Sequence, residues 1–235
     1  MYFVKAFAIL FAPIIAVSTF ACFMTVPAAV SSPETVTVVI DAGHGGIDGG
    51  VTGKTSGVKE ADINLEVAKK IKKLFDSAGV KAVMTRETSA GLYGALSKGF
   101  KLRDLQARVK IADDVYADAF ISVHMNNCGD DARRGAQVYF KPESEKSKLL
   151  AESLSKSISA LKGSARDCQT VAGDYYVLNN SSCPAVICEC GFLSNAEDEA
   201  LLQSDDYLES IAYAVFAGAI DFLAEKTSEY RAPAA

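Results

Sequence analysis

The chain is expected to fold as an α/β protein: a single three-layer α/β/α domain on a mostly parallel, twisted sheet. Three observations carry this reading. Short β-branched runs alternate with longer segments whose apolar residues recur at helical spacing, the pattern of a parallel sheet covered on both faces. A length of 235 residues suits one domain with a sizeable core. The chemistry-bearing residues fall where strands end, the place where ligands gather in open α/β sheets.

The elements follow in order. Residues 1–30 hold one charge, Lys5, ahead of an apolar run from Ala6 to Val30. A short positive start, an apolar stretch above the roughly 18 residues that span a bilayer and the small residues of Val26-Pro27-Ala28-Ala29 describe an export signal peptide or an uncleaved N-terminal membrane anchor. Thr19 stands where a lipoprotein signal prefers an aliphatic residue, so lipidation of Cys22 is not expected. After a linker at Ser31-Ser32-Pro33-Glu34, a domain over residues 35–228 begins with a strand at Val36 to Asp41 and a glycine-rich loop. A helix from Glu60 to Ala78 follows. Its stripe Ile63, Val67, Ile71, Leu74 faces the core, the run Lys69-Lys70-Ile71-Lys72-Lys73 reads as a solvated face, and Gly79 ends it.

Next come a strand at Val80 to Thr85, a long polar loop and a helix from Leu102 to Val115. Strands at Ala119 to His124 and Gly135 to Phe140 precede a helix at Ser144 to Leu161. Strands at Tyr175 to Leu178 and Ala185 to Glu189, then helical segments from Ala196 to Glu225, complete the domain. Ala232 to Ala235 read as a frayed end.

Bulk chemistry excludes some partners. A net charge of -5 and a pI near 5.2 leave no basic field for nucleic acid or anionic lipid, so membrane contact is expected only through the N-terminal segment. Of the six cysteines, Cys188 and Cys190 share one face of a strand, their Cα atoms about 6.6 Å apart. That is near the upper limit for a disulfide, so they read as small buried hydrophobes.

The chain has two histidines, and each sits where an apolar run breaks into a loop: His44 in Ile40-Asp41-Ala42-Gly43-His44-Gly45-Gly46, His124 in Ile121-Ser122-Val123-His124-Met125-Asn126. This placement points to a metal site that needs a carboxylate to complete it. The seven glycines from Gly43 to Gly57 invite a nucleotide reading, but Asp48 stands where both phosphate-binding patterns need glycine. Their remaining use is to fold backbone tightly around His44. Glu60 opens a helix, where the dipole favours the ionised form a metal needs; an ordinary first-turn acid reads the same way. Glu189, an acid inside an apolar strand just before Gly191, is either functional or paired with an arginine such as Arg86, because a lone buried carboxylate is costly.

These segments, with Lys59-Glu60, Asn64-Leu65, Thr85-Arg86 and Glu189-Cys190-Gly191-Phe192-Leu193-Ser194-Asn195, resemble the zinc-dependent N-acetylmuramoyl-L-alanine amidases, in order from Val36 to the C-terminal helix. The departures are Ala42, where proline is usual, and the cysteines around Glu189. The resemblance implies Zn2+ held by His44, Glu60 and His124, with Glu189 as the catalytic carboxylate. It implies hydrolysis of the amide between the lactyl group of muramic acid and L-alanine in peptidoglycan, by zinc-activated water. Asn126 is expected either to hydrogen-bond substrate or to serve its loop.

The single export segment, the absence of a wall-binding module and the insert from Glu87 to Lys101 look most like the amidases of spore-cortex maturation. That implies action outside the cytoplasm, in the intermembrane space of a forming spore, and an activating accessory lipoprotein. The alternatives are a non-catalytic peptidoglycan-binding protein and a zinc peptidase cutting within the stem peptide.

Overall fold

Six strands and six helices alternate along the computed structural model, which describes residues 35–161 and 167–231. They are β1 (Thr37–Ala42), α1 (Glu60–Ser77), β2 (Lys81–Met84), α2 (Phe100–Asp114), β3 (Ala119–Asn126), β4 (Gln137–Phe140), α3 (Glu145–Ser159), β5 (Gln169–Ala172), α4 (Tyr176–Asn180), β6 (Ala185–Phe192), α5 (Ala196–Leu201) and α6 (Asp205–Arg231). The expected signal or anchor, Cys22, the linker and the C-terminal four residues lie outside the described residues.

The strands form one sheet in the order β2-β1-β3-β6-β4-β5. Neighbouring pairs are parallel except β4 with β6, so the expected mostly parallel sheet is present. From β1 the chain passes to β2 on one side and returns to β3 on the other. The carboxyl ends of β1 and β3 therefore flank a point where the strand order reverses, the place an open α/β sheet offers a ligand.

Alternation along the strands makes two unequal layers. Val38, Ile40 and Ala42 of β1, Ile121 and Val123 of β3, and Val186, Cys188 and Cys190 of β6 meet α1, α3 and α6 in the larger core. Val39, Phe120 and Ile187 face the other way, against Val109 and Ala112 of α2 and Val177 and Leu178 of α4. Further along that second face the strands carry Asp41, Ser122, His124 and Glu189, which line a cavity that these two helices leave open. α6 is long and apolar enough to span a bilayer, but half of that stretch is buried, and Leu208, Ile211, Val215 and Phe222 make it a core helix packed on α1 and α3.

Two elements depart from expectation. Tyr175 to Leu178 is not a strand; the segment forms α4. Val177 and Leu178 both pack into the second core cluster, whereas a strand would send neighbours to opposite faces. β5, which the sequence pattern does not announce, is a largely exposed edge strand of Gln-Thr-Val-Ala paired only with β4. The stripe of α1 is buried as expected, with Leu74 at its margin, and Gly79 follows that helix at φ 74°. Cys188 and Cys190 are buried free thiols with Sγ atoms 3.9 Å apart.

Candidate metal centre

The loop after β1 delivers His44 at φ 60°, a left-handed conformation uncommon for a side-chain-bearing residue. It is held open by close packing. A Cβ on Gly43 would overlap the His124 ring, and one on Gly50 would overlap the Glu60 carboxylate, so only glycine admits the approach of these groups.

Three ligand-capable side chains converge there. His44 Nε2 lies 3.2 Å from Glu60 Oε1, and His124 Nδ1 lies 2.8 Å from the same oxygen. One ligand atom from each of His44, Glu60 and His124 falls within 4.8 Å of the others, and this is the one such group among the described residues. Glu60 also accepts hydrogen bonds from the backbone N–H groups of Val51 (2.9 Å) and Met125 (3.2 Å). Burial opposes its ionisation, but the hydrogen bonds from His124 and His44 outweigh it and hold the carboxyl well below its usual range. Two imidazoles and one ionised carboxylate are a donor set suited to zinc, with a coordination position left over.

Glu189 sits beside His124 in the β3–β6 register. Its Oε2 atom is buried without a hydrogen-bond partner. Burial first, then the nearby Glu60 charge, raise its pKa against the pull of His124 and His44, to about 7. Among the described residues no arginine pairs with it. Arg86 instead donates to the carbonyls of Ala42 (2.8 Å), Gly43 (2.9 Å), Ala61 (2.8 Å) and Thr88 (2.9 Å). The pairing with Arg86 left open for Glu189 is thus not made, because Arg86 is consumed in fixing the His44 loop.

Asn126 lines the same cavity. Its amide donates to Gln137 Oε1 at 3.0 Å and its oxygen accepts from Asn127 N at 2.8 Å, leaving one N–H uncommitted among the described residues.

Residues that sequence reasoning passed over hold the arrangement. Asp48 Oδ2 lies 3.2 Å from His44 Nδ1, the contact that fixes an imidazole's tautomer and orientation when its other nitrogen faces a metal. Arg108 is buried beneath, bonded to Asp41 (2.6 Å), Asp104 (2.6 Å) and the carbonyls of Ala42 (2.7 Å) and His44 (2.6 Å). Burial penalises the Asp41 charge, yet Arg108, Ser122 and Thr85 together lower its pKa. Asp41 has the same signature as Glu189, an acid on an apolar strand, and that signal could have found it. From the far side of the loop, Glu199 accepts from the N–H groups of Thr55 (3.0 Å) and Ser56 (2.7 Å).

The cavity over these groups measures about 550 Å³. Tyr93, Phe100 and Lys101 wall one side, Tyr175, Tyr176 and Val177 the other. The insert after β2 is folded onto the glycine loop, with Gly46 N donating to Ser89 O at 2.6 Å and Ile47 N to the Tyr93 hydroxyl at 2.8 Å.

Comparison with known proteins places this geometry. Residues 38–221 match the family model described as N-acetylmuramoyl-L-alanine amidase. The chain is 31% identical over 196 residues to the germination-specific N-acetylmuramoyl-L-alanine amidase of Bacillus subtilis strain 168, covering 80% of each chain. Among solved structures it is similar to the CwlD amidase from Clostridioides difficile in complex with the GerS lipoprotein, with TM-score 0.75, 32% identity, and coverage of 81% of this chain and 99% of that one. The catalytic domain of CwlV, an N-acetylmuramoyl-L-alanine amidase from Bacillus (Paenibacillus) polymyxa var. colistinus, aligns with TM-score 0.70 and 30% identity, covering 80% of this chain and 98% of that domain.

Proposed function

The chain belongs to the N-acetylmuramoyl-L-alanine amidase family, and we propose that it cleaves the lactyl–L-alanine amide of peptidoglycan with zinc held by His44, Glu60 and His124 and with Glu189 as the catalytic carboxylate. The observation that carries this reading is the unpaired Glu189 oxygen in the same cavity as the three converging ligands.

When bound, zinc supplies Lewis acidity, lowering the pKa of a water toward about 7 and polarising a carbonyl. The residues do the rest. Glu60 stays ionised, and Asp48 and the Arg108-held loop orient His44. Glu189, poised near neutrality, takes the proton of the attacking water and delivers it to the departing L-alanine nitrogen as the C–N bond breaks. No covalent bond to the protein forms. The free N–H of Asn126 is placed to contact substrate.

The role we assign is in the spore cortex, outside the cytoplasm, in the intermembrane space of the forming spore, with residues 1–30 as signal or anchor and 35–228 as the catalytic domain. Support comes from the similarity to the germination-specific relative. The CwlD relative was solved with a lipoprotein, which supports an accessory lipoprotein here.

Product analysis on purified muropeptides tests the reaction. Free lactyl groups with peptides headed by L-alanine are expected; fragments cut within the stem would make the protein a peptidase, and no products a binding protein.

A further inference from the structure

We propose that Lys101 receives a carboxylate of the stem peptide and so selects substrates with a free acid on the residue after L-alanine. This inference rests on the amidase reading above. The polar lining of the cavity is dominated by acids: Asp41, Asp48, Glu60, Asp104 and Glu189. Among the described lining residues, the basic side chains other than the histidines are Lys101 and Arg108.

Arg108 is not available to a ligand. Its side chain is 2% exposed, and Nε, Nη1 and Nη2 are all engaged by Asp104, Asp41 and the carbonyls of Ala42 and His44. Lys101 is available. Its side chain is 69% exposed, and Nζ lies 3.7 Å from Asp48 Oδ2, beyond hydrogen-bond distance. The ammonium is loosely attracted, not fixed, and can turn toward a better acceptor.

Its backbone, by contrast, is anchored. Lys101 lies in the first turn of α2, and Arg103 in the same turn ties the preceding insert by donating to the carbonyls of Tyr93 (3.2 Å), Ala95 (2.6 Å) and Lys98 (2.9 Å). Through Asp48, the ammonium is one residue removed from His44. In this assignment the first amide of the stem peptide lies at the metal centre and its next residue at this rim. Asp41 and Asp104 are already paired with Arg108, Asp48 with His44, and Glu60 belongs to the ligand set, so Lys101 is the exposed side-chain cation among the described lining residues that is left to meet a carboxylate. An ammonium–carboxylate hydrogen bond is roughly twice as strong as a neutral one, and replacing the acid by a carboxamide forfeits that part.

The rival account is that Lys101 only balances the charge of Asp48. Removal would then affect all substrates alike, through His44.

The test uses the full chain loaded with zinc and two sets of glycan strands that differ only in a carboxylate or a carboxamide on the residue after L-alanine. The readout is the ratio of kcat/KM between them. In the unsubstituted protein the carboxylate is expected to be preferred. Lys101→Met should reduce that ratio about two- to fivefold, chiefly through KM, with zinc content by elemental analysis unchanged, while Lys101→Arg should keep most of it. An unchanged ratio in Lys101→Met, or an equal loss on both substrates accompanied by zinc loss, would overturn the assignment. No release from either substrate by the unsubstituted chain would overturn the amidase reading itself, and this one with it.

Discussion

Replacing Glu189 by glutamine is expected to move activity and stability in opposite directions. The carboxyl is buried, one oxygen has no partner, and its pKa is raised from 4.5 to about 7. In the unfolded chain it titrates near its ordinary value. Below about pH 4.5 it is neutral in both states and costs nothing. As pH rises toward 7 the folded protein retains a proton that the unfolded chain has lost, and above 7 the full penalty of a buried charge is present. At about 1.4 kcal/mol per pKa unit, that penalty is roughly 3 kcal/mol. Glutamine keeps the shape and carries no charge, so the metal-free variant should be more stable than the unsubstituted protein by about this amount near pH 8, and by little near pH 4.5. Hydrolysis, which needs the base, should fall by about 100- to 10,000-fold. Urea unfolding of chelator-treated protein at the two pH values, alongside peptide release by the zinc-loaded forms, measures both effects. A variant that is less stable at pH 8, or a gap that ignores pH, would mean that Glu189 has a structural partner in solution and that the reasoning is wrong.

Other outcomes follow from neighbouring contacts. His124→Ala leaves one imidazole and Glu60, so zinc by elemental analysis should fall from about one per chain to well below it; full occupancy would remove His124 from the centre. Gly43→Ala puts a methyl into the His124 ring and should lose zinc and activity while circular dichroism stays that of the folded protein. Asp41→Asn breaks a buried pair with Arg108 and should cost about 3–5 kcal/mol in urea unfolding. Because the folded pKa of Asp41 is lowered, its contribution is present above the ordinary carboxylate pKa and lost as pH falls, so the gap between variant and unsubstituted protein should close on acidification.

How far the site could be read in the sequence depended on the range of the interaction. His44 and His124 were legible because each stands at the break between an apolar run and a loop, a local signal. Glu189 was legible as an acid where the strand pattern asks for an apolar residue. Asp48 was visible only as the residue that spoiled two glycine patterns; its contact with His44 requires the loop to fold back over four residues, which composition does not announce. Arg108 is 67 positions from Asp41, and nothing local distinguishes it from the other charged residues of α2. The misread Tyr175–Leu178 segment fails for a related reason. Four apolar and aromatic residues carry no period long enough to distinguish a strand from one helical turn, and only the shared burial of Val177 and Leu178 decides it.

The cost stored at the centre explains why so much of the surrounding structure is polar and buried. Glu189 opposes folding near neutral pH, His44 holds a left-handed backbone, and the glycines that admit His124 and Glu60 add unfolded-chain entropy. None of these is relieved by apolar packing, since the second face of the sheet is left open above them. What opposes the cost is a set of long-range hydrogen bonds onto the loop backbone. Arg86 and Arg108 take the carbonyls of Ala42, Gly43 and His44, and Glu199 takes the N–H groups of Thr55 and Ser56. These donors and acceptors come from the residue pair just after β2, from α2 and from α5, which the core already fixes, so each contact orders loop residues without ordering its own element again. The glycine-rich segment is therefore bound to the scaffold at both ends. The wall of the cavity that relies mostly on its own contacts is the insert from Glu87 to Lys101, tied to the glycine loop through Ser89 and Tyr93 and to α2 through Arg103 and Asp104.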